Sequence, residues 1–321
     1  MTITLTSDRP ARHSRAVMFA CDGVYAAFAF HAAAQIAALC PDRDFDICLV
    51  SSEERLEAPP GLERHGFRLC HVTAPGLFDG LRLDAGRTPV VYLRLALPAA
   101  FAGDYARLLY LDADVFIQGG DFAALMGVDL GPHFVGAVRD NTQWRTPGRR
   151  AEQFKRLGLP ATRYFNAGVM LIDVGGWNGS GLLDRCVALG RANREVMIRH
   201  DQNLLNSVLA GGWAELSPVW NWQYTWASRM FEAMADANVV HFIGPKKPWK
   251  HDGGEIPLRF RRAYRGFLAE HFPDAPQVGP DGAPPMGNAA FLRRSLVKHL
   301  VSAGRMSDYL ARFPDELTVI A

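Results

Sequence analysis

The sequence predicts an α/β protein in which a mostly parallel sheet is covered by helices on both faces. Short apolar runs alternate with helix-forming segments from Ala16 to Leu111, and two of these runs, the first and the last, end on an aspartate. The composition, 49% hydrophobic and 21% charged over 321 residues, supplies a large core. It excludes a wholly disordered chain, a collagen-like one and a small disulfide framework. The 35 Lys and Arg against 33 Asp and Glu leave a net charge of +2, too balanced for a globally basic nucleic-acid binder, so partners are read from local sites.

In chain order, Ala16 to Cys21 reads as a strand, the Ala-rich Tyr25 to Leu39 as a helix, and Phe45 to Val50 as a second strand before Pro59-Pro60-Gly61 breaks the chain. Phe67 to Val72 is a third strand. Val90 to Phe101 is a helix interrupted near its end by Pro98, and Ala106 to Leu111 is a strand that stops at Asp112. Ligands in such sheets sit beyond the carboxyl ends of the strands, where Asp22 and Asp112 fall. The middle third holds a strand at Phe134 to Val138, a polar loop from Arg139 to Arg150, and a strand around Gly168 to Val174. Helices follow at Leu182 to Arg194 and Asp201 to Leu209, with Asp201 as the expected N-cap of the second. A last strand, Val239 to Ile243, ends in Gly244-Pro245, and the proline-rich Pro273 to Gly287 reads as a linker or wrapping loop.

The five cysteines, Cys21, Cys40, Cys48, Cys70 and Cys186, form no C-x-x-C unit and are expected to be reduced, mostly buried hydrophobes. Met1 to Arg15 is polar and lacks the apolar core of a secretory signal. The longest apolar stretch, Ala26 to Leu39, is broken by His31 and Gln35 and is shorter than the ~20 residues needed to span a bilayer. The expected compartment is the cytoplasm.

The sharpest chemical signal is Leu108-Leu109-Tyr110-Leu111-Asp112-Ala113-Asp114-Val115, an apolar run that delivers two carboxylates one residue apart where the strand emerges. Two such carboxylates can share a hard divalent cation that also takes phosphate oxygens. An Asp-rich turn or helix cap is the plainer alternative. Downstream, Val239-Val240-His241-Phe242-Ile243-Gly244-Pro245-Lys246-Lys247-Pro248-Trp249 places an imidazole in an apolar strand and follows it with glycine and two lysines. Read alone, His241 is a core histidine and the lysines a solvated loop. Read with Asp112 and Asp114, it completes an O,O,N donor set better suited to Mn²⁺ than to Mg²⁺. Gly244 permits close backbone approach, and Lys247 offers a point charge to a diphosphate.

Three further segments, Phe19-Ala20-Cys21-Asp22-Gly23-Val24-Tyr25, Tyr164-Phe165-Asn166-Ala167-Gly168-Val169 and His200-Asp201-Gln202-Asn203-Leu204-Leu205-Asn206, are weak singly. In this order, together with the D-x-D and H-x-x-G-P-x-K-P-W motifs, the sequence from about Val17 to Lys250 resembles glycosyltransferase family 8, which includes bacterial lipopolysaccharide galactosyl- and glucosyltransferases. The resemblance implies a single Rossmann-like GT-A domain over residues 16–270, with a polar extension (1–15) before it and a Pro/Gly-rich linker and basic helical tail (271–321) after it. It implies a UDP-hexose donor, Mn²⁺ or another divalent cation, and a carbohydrate or glycolipid acceptor.

Carried over by position, the resemblance assigns Ala20 and Asp22 to the uracil and ribose, Tyr25 to the base pocket, and Asp112, Ala113 and Asp114 to the metal and UDP. His241 is the third metal ligand, Gly244 and Lys247 meet the diphosphate, and Arg94 lies near the donor sugar. Asn166, Ala167, Asp201 and Gln202 hold the sugar hydroxyls and face the anomeric carbon, with Asn166, Asp201 and Gln202 as the catalytic candidates. Val24 stands where the family often has a polar residue. Leu83 to Val91, which carries acceptor contacts in the related lipopolysaccharide galactosyltransferase, shows no match.

Two features lie outside these motifs. Trp220-Asn221-Trp222-Gln223-Tyr224-Thr225-Trp226 suits either sugar stacking or core packing. Phe291 to Arg305 has four bases and no acid, and a helix there aligns Leu292, Leu296, Val297, Leu300 and Val301 in one stripe beside Arg293, Arg294 and Lys298. Such a stripe either docks on an anionic membrane surface or packs on the catalytic domain. Two other function classes compete with the transferase. A nucleotide-sugar-binding protein without turnover would retain the same metal and donor residues. A sugar-1-phosphate nucleotidyltransferase calls for a basic Gly-rich loop after the first strand, where this chain has Cys21-Asp22-Gly23-Val24.

Overall fold

The structure is a computed structural model that describes residues 2–53, 55–250, 255–282, 284 and 287–321, with Val24 described in its backbone only. The elements in chain order begin with β1 (Thr4–Ser7), β2 (Arg15–Ala20), α1 (Gly23–Leu39), β3 (Asp46–Ser51) and β4 (Arg68–Thr73). Then come α2 (Val90–Ala100), β5 (Arg107–Leu111), β6 (Val115–Ile117), α3 (Phe122–Leu125), β7 (Val135–Arg139), α4 (Asn141–Trp144) and α5 (Glu152–Arg156). The chain continues through β8 (Phe165–Asp173), α6 (Val174–Gly179), α7 (Leu182–Ala192), α8 (His200–Leu209), β9 (Ala214–Leu216) and β10 (Trp222–Gln223). It closes with β11 (Val239–His241), α9 (Leu258–His271), α10 (Ala289–Leu310) and β12 (Val319–Ile320).

The main sheet has the order β1-β4-β3-β2-β5-β8-β7-β9-β12. Its first half is parallel from β4 to β5, as the strand–helix alternation predicts. Beyond β5 the sheet is mixed, as this fold class implies: β8 runs antiparallel to both neighbours and both edge strands are antiparallel. The period of two is clear in β2, where Val17 and Phe19 join the core on one face and Ala16, Met18 and Ala20 the core on the other. Helices α1 and α9 cover the first face, and α2, α7 and α8 the second.

The expected N-terminal extension is not separate from the domain, since β1 within it pairs with β4 at one sheet edge. The expected tail likewise contributes β12 to the opposite edge, beside β9. Tail and sheet are also joined inside the protein. Buried Glu215 of β9 accepts from Arg139 Nε at 2.8 Å, from Tyr309 Oη at 3.1 Å and from Arg312 Nη2 at 3.2 Å. Part of the expected linker wraps α9, where Arg265 Nη2 donates to Gly279 O at 2.6 Å. Residues 283, 285 and 286 of that linker lie outside the described residues.

Two local expectations are corrected, and an open one is decided. The loop from Arg139 to Arg150 contains α4, whose N-cap Asp140 accepts from Thr142 N at 3.0 Å. Asp201 does not cap α8, because the helix starts one residue earlier on His200 with φ of 48°, which turns the Asp201 carboxylate toward Arg94. Trp220 and Trp222 are fully buried core residues, so of the aromatic motif's tryptophans only Trp226, 46% exposed, is open to a ligand.

Candidate active site

A cavity of about 1020 Å³ opens at the carboxyl ends of β2 and β5. It brings together every residue the sequence singled out: Ala20, Asp22, Tyr25, Arg94, Asp112, Ala113, Asp114, Asn166, Ala167, Asp201, Gln202, His241, Gly244 and Lys247 all line it. Asp22 caps α1, accepting from Tyr25 N at 3.3 Å, and its second oxygen accepts from Thr88 Oγ1 at 2.8 Å. The segment with no family match also forms part of the wall, through Arg87, Thr88 and Val90.

Asp112, Ala113 and Asp114 bridge the main sheet and a three-stranded one of order β10-β11-β6. Asp112 N donates to Gly168 O at 2.8 Å, while Asp114 O accepts from Phe242 N at 3.1 Å, so backbone bonds clamp the turn from both sides. One potential ligand atom from each of Asp112, Asp114 and His241 lies within 4.8 Å of the others.

The hydrogen-bond chain behind His241 fixes its tautomer. Gly168 N–H donates to Asn166 Oδ1 at 3.0 Å, which identifies that atom as the oxygen, and Asn221 Nδ2 donates to the same oxygen at 2.9 Å. The Asn221 carbonyl therefore faces His241 Nδ1 at 2.9 Å and takes its proton. In the neutral imidazole this leaves Nε2 as the lone pair, 3.1 Å from Asp114 Oδ1 and 3.7 Å from Asp112 Oδ2. Three electron-rich atoms facing one another fit a divalent cation and repel without one. Gly168 leaves room for this arrangement, since a Cβ there would lie 2.1 Å from His241 Cε1 and 2.9 Å from Asp112 Oδ2.

Around this cluster the charges are paired. Lys247 Nζ binds Asp114 Oδ2 and the Phe242 carbonyl. Although burial pushes the Asp114 carboxyl up, Lys247, and His241 in its protonated form, hold it well below the usual carboxylate range. Arg94 Nη2 donates to Asp112 Oδ1 at 2.7 Å and Nη1 to Ala167 O at 2.7 Å. Its Nε lies 3.0 Å from Asp201 Oδ2, near enough for an ion pair though not aligned for a hydrogen bond. Burial pushes the Asp201 carboxyl up to about 6 against the pull of Arg94.

Gln202 Oε1 accepts from Asn166 Nδ2 and Ala167 N, each at 3.3 Å. Its Nε2 donates to Asp140 Oδ2 at 3.2 Å and to Tyr164 Oη at 3.1 Å, so the amide has one orientation. Asp140 and Asn221 are the positioning residues that sequence reasoning missed. Asp140 had a signal, because it ends an apolar strand run as Asp112 does. Asn221 had none, being hidden among the tryptophans of its motif.

A cavity at the strand ends is where α/β sheets bind their ligands, and comparison with known proteins gives the family. The Glycosyl transferase family 8 model matches residues 16–253, and the chain belongs to that family. General stress protein A of Bacillus subtilis is 28% identical over 178 residues, which is 50% of this chain and 59% of that protein. Lipopolysaccharide 1,3-galactosyltransferase of Salmonella typhimurium is 28% identical over 180 residues, 53% of this chain and 52% of that protein. These matches span little more than half the length of either relative. The crystal structure of galactosyltransferase LgtC, solved with donor and acceptor sugar analogs, superposes with a TM-score of 0.63 at 25% identity, covering 78% of this chain and 95% of that one.

Proposed function

We propose that this protein is a Mn²⁺-dependent retaining hexosyltransferase that moves galactose or glucose from a UDP-sugar to a carbohydrate acceptor, in the synthesis of bacterial lipopolysaccharide or another surface glycan. The observation that carries the reading is the donor set of Asp112, Asp114 and His241, with the imidazole lone pair turned onto the two carboxylates by Asn221 and Asn166. A divalent cation held there supplies Lewis-acid stabilisation to the departing diphosphate.

The chain's own residues do the rest. Lys247 adds a fixed positive charge beside the metal ligands, and Gly244, with φ of 84° and nothing within 4 Å of a hypothetical Cβ, lets phosphate oxygens approach the backbone. Ala20, Asp22 and Tyr25 lie at the nucleoside end, where Tyr25 offers a ring to the base. Arg94 holds Asp112 and Asp201 in place and offers the donor sugar a buried cation. Asn166 and Asp201 bind the sugar hydroxyls. Gln202 presents its amide oxygen to the anomeric carbon, where positive charge develops as the glycosidic bond breaks. A neutral amide stabilises that charge as a dipole and is a poor nucleophile.

Among the described residues no helix is long and apolar enough to cross a membrane. The same reading places the enzyme in the cytoplasm, on the inner face of the membrane. There α10 leaves Leu296, Val297, Leu300 and Val301 exposed beside Arg293 and Arg294, in support of the lipid-docking alternative.

The test is UDP release from a panel of UDP-sugars with Mn²⁺, with and without carbohydrate acceptors, beside an EDTA control. Metal-dependent release from UDP-galactose or UDP-glucose is expected. Tight UDP binding without release under any condition would replace the transferase with a nucleotide-sugar-binding protein. In parallel, Asp114→Ala should abolish Mn²⁺-dependent UDP binding in calorimetry while the fold persists; unchanged affinity would overturn the metal assignment.

A further inference from the structure

A second cavity of about 430 Å³ adjoins the first and shares Thr225, Ile243 and Pro245 with it as common wall. Its outer wall is built by α10, which contributes Phe291, Arg294, Ser295 and Lys298, and its floor by Trp226 and Arg229. The proposed donor residues do not line it, and it joins Trp226 of the aromatic motif to Arg294 and Lys298 of the basic helix.

Its electrostatics are one-sided. Among the described residues, Arg229, Lys246, Arg294 and Lys298 line it against a single carboxylate, Glu255, which Lys246 Nζ meets at 2.6 Å and Arg229 Nη2 at 4.0 Å. Arg294 and Lys298 have no carboxylate partner among the described residues. Lys298 Nζ instead lies 4.4 Å from the centre of the Trp226 ring, and Arg145 Cζ lies 4.7 Å from the same centre. Burial, Arg305 and Arg149 all lower the pKa of Arg145, as happens where cations gather without a counter-charge. The Trp226 ring, hydroxyls at Thr225 and Ser295 and excess positive charge, separated from the first cavity by a wall that includes Thr225, describe a site for a sugar that carries an anion.

We propose that this cavity is an acceptor subsite and that the acceptor is an anionic sugar, a glycan bearing a phosphate or carboxylate that Arg294 and Lys298 bind while its hydroxyl reaches the donor across Thr225. This rests on the transferase reading of the first cavity and adds the chemical class of the acceptor.

The experiment measures binding of glucose, glucose 6-phosphate and inorganic phosphate to the full chain by calorimetry, with UDP and Mn²⁺ present. Glucose 6-phosphate should bind about tenfold or more tightly than either glucose or phosphate, as expected for charge-assisted hydrogen bonds added to a sugar contact. The double variant Arg294→Glu/Lys298→Glu should erase that preference and leave UDP affinity unchanged. Glucose binding as well as glucose 6-phosphate, or a preference that survives the double variant, would overturn the subsite. Phosphate binding as well as glucose 6-phosphate would reduce it to an anion patch and overturn the acceptor assignment. UDP affinity, measured separately, reports on the donor site, so failure of the transferase reading is distinguishable from failure of this one.

Discussion

His241 is a buried imidazole whose position and hydrogen bonding are imposed by Gly168, Asn166 and Asn221. Gly168 supplies both the backbone N–H that starts the chain of hydrogen bonds and the empty volume in which the ring sits. Gly168→Ala should therefore displace the ring and weaken Mn²⁺-dependent UDP binding at least tenfold, with a stability loss of about 1–3 kcal/mol from overpacking. Calorimetry and a denaturant midpoint check the two parts. Asp201 gives a pH dependence. Burial holds its proton up to about pH 6, above the ordinary carboxylate value, so the ionised form, which we propose binds sugar hydroxyls, is lost as pH falls through that point. Donor turnover should rise from about pH 5 to 7 with a midpoint near 6. Asp201→Asn should be slower and lack this limb; an unchanged profile in that variant would assign the titration elsewhere.

At the scale of elements, α10 divides its surface between two environments. Phe291, Ser295, Ser302, Met306 and Tyr309 face the protein, while Leu300 and Val301 are 72% and 81% exposed. The sequence pattern placed Leu296, Val297, Leu300 and Val301 on one stripe correctly but left open which face of the helix packs, and the serines turned out to be inside. A deletion of 291–321 is not a clean test of lipid binding, because it would also remove Tyr309 and Arg312 from Glu215. The point variant Leu300→Glu/Val301→Glu is clean. It should reduce co-sedimentation with anionic vesicles several-fold while changing stability by about 0.5 kcal/mol or less, as at exposed sites generally. Full retention on vesicles would leave the exposed stripe without a role in membrane contact.

At the scale of the whole molecule, both ends of the chain are tied to the main sheet, and the stronger tie is ionic. Glu215 is completely buried and lies between Arg139 and Arg312. Removing it leaves Arg139, only 5% exposed, as an uncompensated buried charge. Glu215→Ala should cost about 3–5 kcal/mol, read as a drop in denaturant midpoint, and should loosen the C-terminal segment to proteolysis before the donor cavity is lost. A loss below about 1 kcal/mol would mean that the network is not what holds the tail.

The sequence alone determined the alternation of strands and helices, the two faces of the central strands and the full set of cavity-lining residues it nominated. The first two follow from hydrophobic period, a local property; of the cavity residues, Asp22 and Asp112 were legible at strand ends, and Arg94, Asn166, Asp201 and Gln202 only through the resemblance to the family. Only the tertiary structure decided strand direction beyond β5, the entry of β1 and β12 at the sheet edges, and the burial of Trp220 and Trp222. A period of two specifies which side chains are buried and says nothing about the neighbour or its direction. The roles of Asn221 and Asp140, and the second cavity beside α10, arise where segments far apart in sequence meet. Hydrogen-bond partners and shared walls of that kind exist only once the chain is folded.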